Sequence, residues 1–312
     1  MSDNHVLYVE RYRPKKVDEC ILPKHLKETF NGFIQNKNVP NLILSGSAGI
    51  GKTTVARALA DELNYDFLFI NGSNEGKLLD TLRNKIQQFT SSKSLVNKRK
   101  LVLIDEGDQM PEAVQTALRA FIESVSKNCS FIITCNYRNR IIAPLASRFS
   151  DVEFILPKEE NASLQAQYFK RMKSILDENS IEYEPAVLAK VVTKNFPDFR
   201  KTLNNIQKYS SRGKIDEGIF ASMVDIDMKN IMTMLKARNF RDTRSWVATA
   251  TVEMPQLVRS LYEALYEYVQ SQSIPDAVLI LNKYQYQHAF VVDPEINIMA
   301  MMTELMSELE WK

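Results

Sequence analysis

Eight consecutive residues, Gly46-Ser47-Ala48-Gly49-Ile50-Gly51-Lys52-Thr53, satisfy the pattern GxxxxGK[ST] at every fixed position. A glycine-rich turn feeding a helix presents successive backbone N–H groups to an anion, and the helix N-terminus adds its dipole. In that setting Lys52 reaches the β- and γ-phosphates of a nucleotide, and the Thr53 hydroxyl takes a place on Mg²⁺. The chain holds only 9 glycines, so three within six residues concentrate backbone freedom in the loop that must wrap a triphosphate. About fifty residues downstream stands the pair Asp105-Glu106. One carboxylate can hold the metal or its water, and the next, pointing elsewhere, can polarise an attacking water as general base. Asn136 follows a further apolar run and is placed to orient that water. Together these types and spacings describe hydrolysis of a nucleoside triphosphate.

Each of these groups ends or follows a short apolar run. Residues 41–45 (NLILS), 67–71 (FLFIN), 101–105 (LVLID) and 131–136 (FIITCN) are too short for helices and are bounded by polar or turn residues. Helix-length segments separate them, which predicts parallel pairing with helices on both faces. Residues 54–58 (TVARA) open a helix directly behind the loop. A fifth strand is expected at residues 152–156, and Pro157 closes the first domain, residues 1–156. Beyond it the β signal fades. Helices are expected over residues 161–179, 184–194, 199–210 and 216–224, forming a second domain, residues 157–226. Seven Lys or Arg stand against the single acid Asp198 between residues 190 and 214. Residues 227–312 read as a third, helical domain with an acidic end. There Ile298, Met302, Leu305 and Leu309 mark one apolar stripe, and residues 257–269 carry a broader one (Leu257, Val258, Leu261, Tyr262, Leu265, Tyr266, Val269). The broad stripe fits either a central core helix or a subunit interface.

Composition sets the exclusions. In 312 residues, 40 Lys and Arg nearly balance 38 Asp and Glu, so any nucleic-acid contact must come from charge sorted onto particular surfaces. With 45 % hydrophobic and 25 % charged residues the chain has the balance of a globular protein. No apolar run approaches the ~18 residues of a membrane span, and the first residues lack the apolar core of a secretory signal. A cytoplasmic protein without membrane partners is expected. Cys20, Cys129 and Cys135 form no CxxC pair and read as small buried hydrophobes.

The order of motifs resembles that of AAA+ ATPases and, more narrowly, of sliding-clamp-loader subunits, nearest to the large subunit of loaders from T-even-type bacteriophages. The resemblance is carried by Tyr8-Val9-Glu10-Arg11-Tyr12-Arg13-Pro14, the glycine loop, Asp105-Glu106, Asn136, Leu145-Ala146-Ser147-Arg148-Phe149 and Pro197-Asp198-Phe199-Arg200-Lys201-Thr202. It implies a AAA+ parallel-sheet α/β domain, a small all-α lid domain and a C-terminal helical collar domain. It further implies that the loop residues Gly46, Ser47, Ala48, Gly49, Ile50, Gly51, Lys52, Thr53 and Thr54 bind ATP with Mg²⁺ on Thr53 and Asp105. Tyr12, Arg13, Val17 and Ile21 would surround adenine, and Arg200 would touch the nucleotide of its own subunit. Arg148 would act on the neighbouring subunit's γ-phosphate, Phe149 standing where the family usually has Cys. Asn71 would restrain Glu106, Lys77, Arg83 and Arg119 would meet DNA phosphates, and Gln115 would couple DNA to the ATP sites.

The partners so implied are the sliding clamp, a small loader subunit, primer-template DNA and other copies of this chain, four in a five-subunit ring. Two competing functions are a AAA+ replication initiator or helicase-type motor, and a scaffold that binds without hydrolysing. The Tyr8–Pro14 box and the Ser147-Arg148-Phe149 motif argue against the first. The joint presence of Lys52, Asp105, Glu106 and Arg148 argues against the second.

Overall fold

The computed structural model describes residues 7–73, 82–92, 99–125, 129–211, 213–222, 228–249, 254–288 and 290–312. The chain folds as two compact units, Met1–Asp216 and Glu217–Lys312.

The first unit is built on a five-stranded sheet of β1 (Leu42–Ser45), β2 (Asp66–Asn71), β3 (Lys100–Asp105), β4 (Cys129–Cys135) and β5 (Ser150–Glu153), in the order β2-β3-β4-β1-β5. All neighbours pair in parallel, with Leu42 opposite Ile132, Ile104 opposite Ile133 and Asn71 opposite Asp105. Side chains alternate between faces. Leu42, Leu44, Leu101, Leu103 and Ile132 pack under α2 (Lys24–Gln35) and α3 (Lys52–Glu62), which follow the short α1 (Tyr8–Arg11). Ile43, Val102, Ile104, Phe131 and Ile133 pack on the other face, which α4 (Gln87–Ser91), α5 (Glu112–Val125) and α6 (Ala143–Ala146) follow; Val114, Leu118 and Ile122 of α5 belong to that cluster. Both faces are therefore buried, which is why the strands read as continuous apolar runs. β1 sits inside the sheet with its sequence neighbour β2 at the far edge, so the chain reverses direction across the sheet at the carboxyl end of β1. Open α/β sheets bind ligands at such a point.

The fifth strand begins two residues earlier than expected, at Ser150, and ends at Glu153. Behind it come α7 (Asn161–Glu178), α8 (Pro185–Asn195) and α9 (Phe199–Ser210), close to the expected helices. Asp198 caps α9 by accepting from the Lys201 N–H at 2.8 Å. This segment also carries β structure that its sequence conceals. β6 (Glu182–Tyr183) pairs in parallel with β7 (Lys214–Ile215). Two residues per strand leave no alternation to read.

The second unit is helical. It comprises α10 (Ile219–Ser222), α11 (Met228–Lys236), α12 (Phe240–Thr249), α13 (Met254–Tyr268), α14 (Ile274–Gln287) and α15 (Pro294–Glu308). Leu257, Val258, Leu261, Leu265 and Val269 of the broad stripe all enter its core, with Met302, Leu305 and Leu309 from the other stripe. Tyr266 stands about half exposed at 51 %. The chain end is fastened to this unit by a Val269–Trp311 bridge and by the Lys312 N–H on the Tyr268 carbonyl at 2.8 Å. Among the described residues no helix is long and apolar enough to cross a membrane.

Candidate active site

The glycine loop leaves β1 at Gly46, at φ 143°, and enters α3 through Gly49 and Gly51, at φ 75° and 99°. These are values that L side chains rarely adopt, so the glycines are required by the path. At Gly49 a Cβ would also lie 1.9 Å from the Asp198 carboxylate, which shows how closely the start of α9 approaches the loop. The Phe199 N–H donates to the Gly49 carbonyl at 3.1 Å. Lys52 opens α3 and is buried, 7 % exposed. Its ammonium donates to the Gly46 and Ser47 carbonyls, both at 2.7 Å, and to Asn136 Oδ1 at 2.9 Å. Burial holds it below the usual lysine range, while the Asp105 and Asp108 carboxylates pull the other way.

Asp105 ends β3. Its Oδ1 accepts from Thr53 Oγ1 at 2.7 Å and from the Thr134 hydroxyl of β4. Thr53 and Asp105 thus bring two hard oxygen donors together beside the loop, a donor set that suits Mg²⁺. Glu106 follows in the left-handed region at φ 56° and ψ 43°, a conformation that costs a non-glycine residue about 1–2 kcal/mol. Its N–H is held by Thr134 Oγ1 at 3.2 Å. Both adjacent carboxylates line the same cavity, Asp105 from the strand end and Glu106 from the turn. Gly72 makes room for it: a Cβ there would lie 2.7 Å from the Glu106 carbonyl oxygen.

One cavity gathers Ala48 through Val55, Asp105, Glu106, Thr134, Asn136 and, from the helical segment, Arg200. Tyr12, Arg13 and Ile21 form another part of its wall, with Cys20, Leu22, Tyr168 and Arg171. Val17, expected at that wall, is instead sealed in the core at 0 % exposure. Its N–H donates to Glu62 Oε2 at 2.9 Å, which turns its side chain under α3.

The remaining expected residues lie elsewhere. Arg148 does not line the cavity. It donates to Glu123 Oε1 of α5 from Nε at 2.9 Å and from Nη2 at 2.6 Å. Arg119 shares that carboxylate at 3.5 Å, and the Arg148 guanidinium, first of all by its hydrogen bond, holds Glu123 below the ordinary carboxylate range. Asn71 sits across the sheet from Asp105, its amide oxygen accepting from the Ser73 N–H at 2.8 Å and hydroxyl at 2.7 Å. Gln115 is buried, 2 % exposed, and bridges two loops. Its Nε2 donates to the Met110 and Arg140 carbonyls, both at 3.0 Å, and its Oε1 accepts from the Ile142 N–H at 2.9 Å. Lys77 lies outside the described residues, as does the side chain of Arg83.

Sequence reasoning missed Asp108, Thr134 and Arg171. Asp108 is buried, 6 % exposed, and its Oδ2 accepts from the N–H groups of Asn136 at 3.2 Å and Tyr137 at 3.0 Å. Its position two residues past Glu106 is a readable signal. Thr134 lies in β4 two residues before Asn136, which follows the strand; Arg171 has no signature beyond its helix.

Residues 42–156 match the model of the ATPase family associated with various cellular activities (AAA), and residues 160–221 match the AAA+ lid domain of sliding-clamp-loader large subunits. The sliding-clamp-loader large subunit of Enterobacteria phage T4 is 36 % identical over 99 % of this chain and 98 % of its own length. The chain belongs to the clamp-loader family of AAA+ ATPases. The large subunit of Escherichia phage RB69 is likewise 36 % identical, over 100 % of the chain and 98 % of its own length. The replication factor C small subunit of Methanothermobacter thermautotrophicus is 34 % identical over 73 % of the chain and 71 % of its own. A solved structure of the Thermotoga maritima RuvB branch migration motor shares the fold, with TM-score 0.56 and 20 % identity over 80 % of this chain and 85 % of its own. As a clamp-loader family member the chain is an ATPase.

Proposed function

We propose that this chain is the motor subunit of a sliding-clamp loader in the cytoplasm of a phage-infected cell, with residues 1–156 as ATPase domain, 157–226 as lid and 227–312 as collar. Four copies join one small subunit through the collars. ATP binding orders the ring so that it opens the clamp and admits primer-template DNA, and DNA then triggers hydrolysis, leaving the closed clamp behind.

We assign each residue a role that its position supports. Thr53 and Asp105 would hold Mg²⁺, which would supply charge neutralisation at the β- and γ-phosphates. Lys52 leaves the loop carbonyls for those phosphates, and their charge offsets the burial that depresses its protonation. Glu106 accepts a proton from the attacking water, which Asn136 orients from its place beside Lys52. Arg200 reports nucleotide to the lid. Asn71 restrains Glu106 until Lys77, Arg83 and Arg119 meet DNA phosphates, and Gln115 links the two loops that carry this signal.

A single observation carries the reading. Lys52, Thr53, Asp105, Glu106, Asn136 and Arg200 line one cavity, whereas Arg148, the cation assigned to the transition state, is held outside it on Glu123. A finger supplied by a neighbour raises phosphoryl-transfer rates by about 10³–10⁵, which ties hydrolysis to assembly. The test is the ATPase rate with and without primed DNA and the cognate clamp. Glu106→Gln is expected to bind ATP without turnover, and Arg148→Ala to lose DNA-stimulated hydrolysis while each subunit still binds ATP. Normal hydrolysis by Arg148→Ala refutes the trans role, and duplex unwinding without clamp loading favours the helicase alternative.

A further inference from the structure

The part of the nucleotide-cavity wall supplied by residues 9–22 has two anchorages. Val9, Tyr12, Arg13 and Pro14 line it from the N-terminal segment, and Cys20, Ile21 and Leu22 line it a few residues later. The later part is rooted in the sheet layers. Val17, Cys20 and Leu22 pack with Leu42, Leu44, Val55 and Leu59, and Val17 N–H is held by Glu62 of α3.

The earlier part is rooted elsewhere. The hydrogen bonds of Tyr8, Arg11 and Tyr12 to other elements run to α7 and α9. The Tyr8 N–H donates to Gln207 Oε1 at 2.8 Å, and Arg11 Nη2 lies 3.4 Å from Glu178 Oε1. The Tyr12 hydroxyl donates to that same oxygen at 3.2 Å and accepts from Asn179 Nδ2 at 2.6 Å. Arg171 Nη2 donates to the Tyr12 carbonyl at 3.1 Å, and Arg171 itself lines the cavity. Between the two anchorages lie Pro14, Lys15 and Lys16.

We propose that residues 8–13 are mechanically part of the lid, and that Arg171 and Asn179 are positioning residues that make this wall of the ATP cavity travel with it. The inference rests on the nucleotide-site reading above and adds how that site senses the lid. A displacement of α7 and α9 carries Tyr12, Arg13 and Arg200 together against Lys52, Thr53 and Ile21, which stay with the sheet. A nucleotide that spans both halves selects the lid position at which they match. By linkage, whatever sets the lid position sets the affinity for ATP. Base-end contacts thereby take part in a coupling otherwise left to Arg200 at the phosphates.

The test uses the full chain with a fluorescent ATP analogue and Mg²⁺. Arg171→Ala and Asn179→Ala each remove one hydrogen bond to Tyr12, and each is expected to weaken binding about fivefold, the scale of one intramolecular hydrogen bond. Amide hydrogen exchange should quicken over residues 7–16 and stay unchanged over β1 and α3. In the complex with clamp and primed DNA, the KM for ATP should rise in step with the loss of affinity in both variants, while kcat of Asn179→Ala at saturating ATP stays within about twofold. Arg171→Lys, which keeps a donor, should recover part of the affinity, and it keeps the test open should Arg171→Ala not fold. Wild-type affinity in both Arg171→Ala and Asn179→Ala overturns the proposal, as does a fall in kcat with affinity unchanged. Failure of the wild-type chain itself to bind the analogue refutes the nucleotide-site reading instead.

Discussion

Replacing Asp108 is expected to misplace Asn136 and so to slow ATP hydrolysis without removing any group that touches ATP. The Asp108 carboxylate is buried at the turn after β3 and accepts from two consecutive N–H groups just beyond β4, those of Asn136 and Tyr137. Asp108→Ala leaves both donors without that acceptor, at a cost of about 1–3 kcal/mol each. Part is returned, because Asp108 Oδ1 is itself buried without a hydrogen-bond partner, and removing it relieves a penalty of similar size. The net loss of stability is therefore about 1–3 kcal/mol, read as a lowered urea midpoint. The same loss of order frees Asn136, whose amide oxygen is 2.9 Å from Lys52 Nζ. Two kcal/mol of lost positioning corresponds to about a thirtyfold fall in turnover. Asp108→Asn separates charge from shape. Its amide oxygen can still accept both N–H groups, so stability should stay within about 1 kcal/mol of wild type and turnover well above that of the alanine variant. Steady-state ATPase at saturating ATP with clamp and primed DNA, alongside analogue binding, makes the measurement. Asp108→Ala turning over at the wild-type rate refutes the reasoning, as would Asp108→Asn behaving as badly as alanine.

Further predictions concern other parts of the molecule. Gly49→Ala places a methyl group on the Asp198 carboxylate at a backbone φ of 75°, so it should both weaken ATP binding and uncap α9, seen as lost affinity and a lowered melting temperature. Lys52 is held below its usual range by burial, so ATP affinity should fall with rising pH before the ordinary lysine value of 10.5 is reached. The sign for folding is opposite. The unfolded chain keeps that proton to higher pH than the folded one, so this group adds stability as pH climbs from its folded value to 10.5. A pH titration of analogue binding and of urea midpoints checks both. Burial pushes Cys20 and Cys129 up to about 12 and Cys135 to about 11. At pH 8 the native protein should therefore resist alkylation and react at all three thiols only in urea. Leu261→Ala, at 0 % exposure in the core of the second unit, should cost about 2–5 kcal/mol by urea unfolding.

Much of the nucleotide site was legible because its parts lie close in sequence and obey local rules. The loop Gly46–Thr53 needs positive φ at fixed places, and only glycine supplies it cheaply. The strands before Asp105 and Asn136 are buried on both faces, so they stand out as apolar runs. The order of motifs then named the family without any contact being known. What escaped was set by contacts between distant segments. Val17 has the same apolar character as Ile21, yet the N–H bond to Glu62 turns one into the core while the other lines the cavity. The pairing of β6 with β7 joins two-residue strands about thirty positions apart, too short to leave a period. Arg148 stands out in its motif, but its contact with Glu123, twenty-five residues earlier, appears only once the chain is folded. Likewise the sequence puts Tyr12 in a box at the start of the first domain, and only the folded chain joins it to Arg171 and Asn179. Local conformation is written in neighbouring residues; which distant surface a side chain meets is settled by the packing of the whole unit.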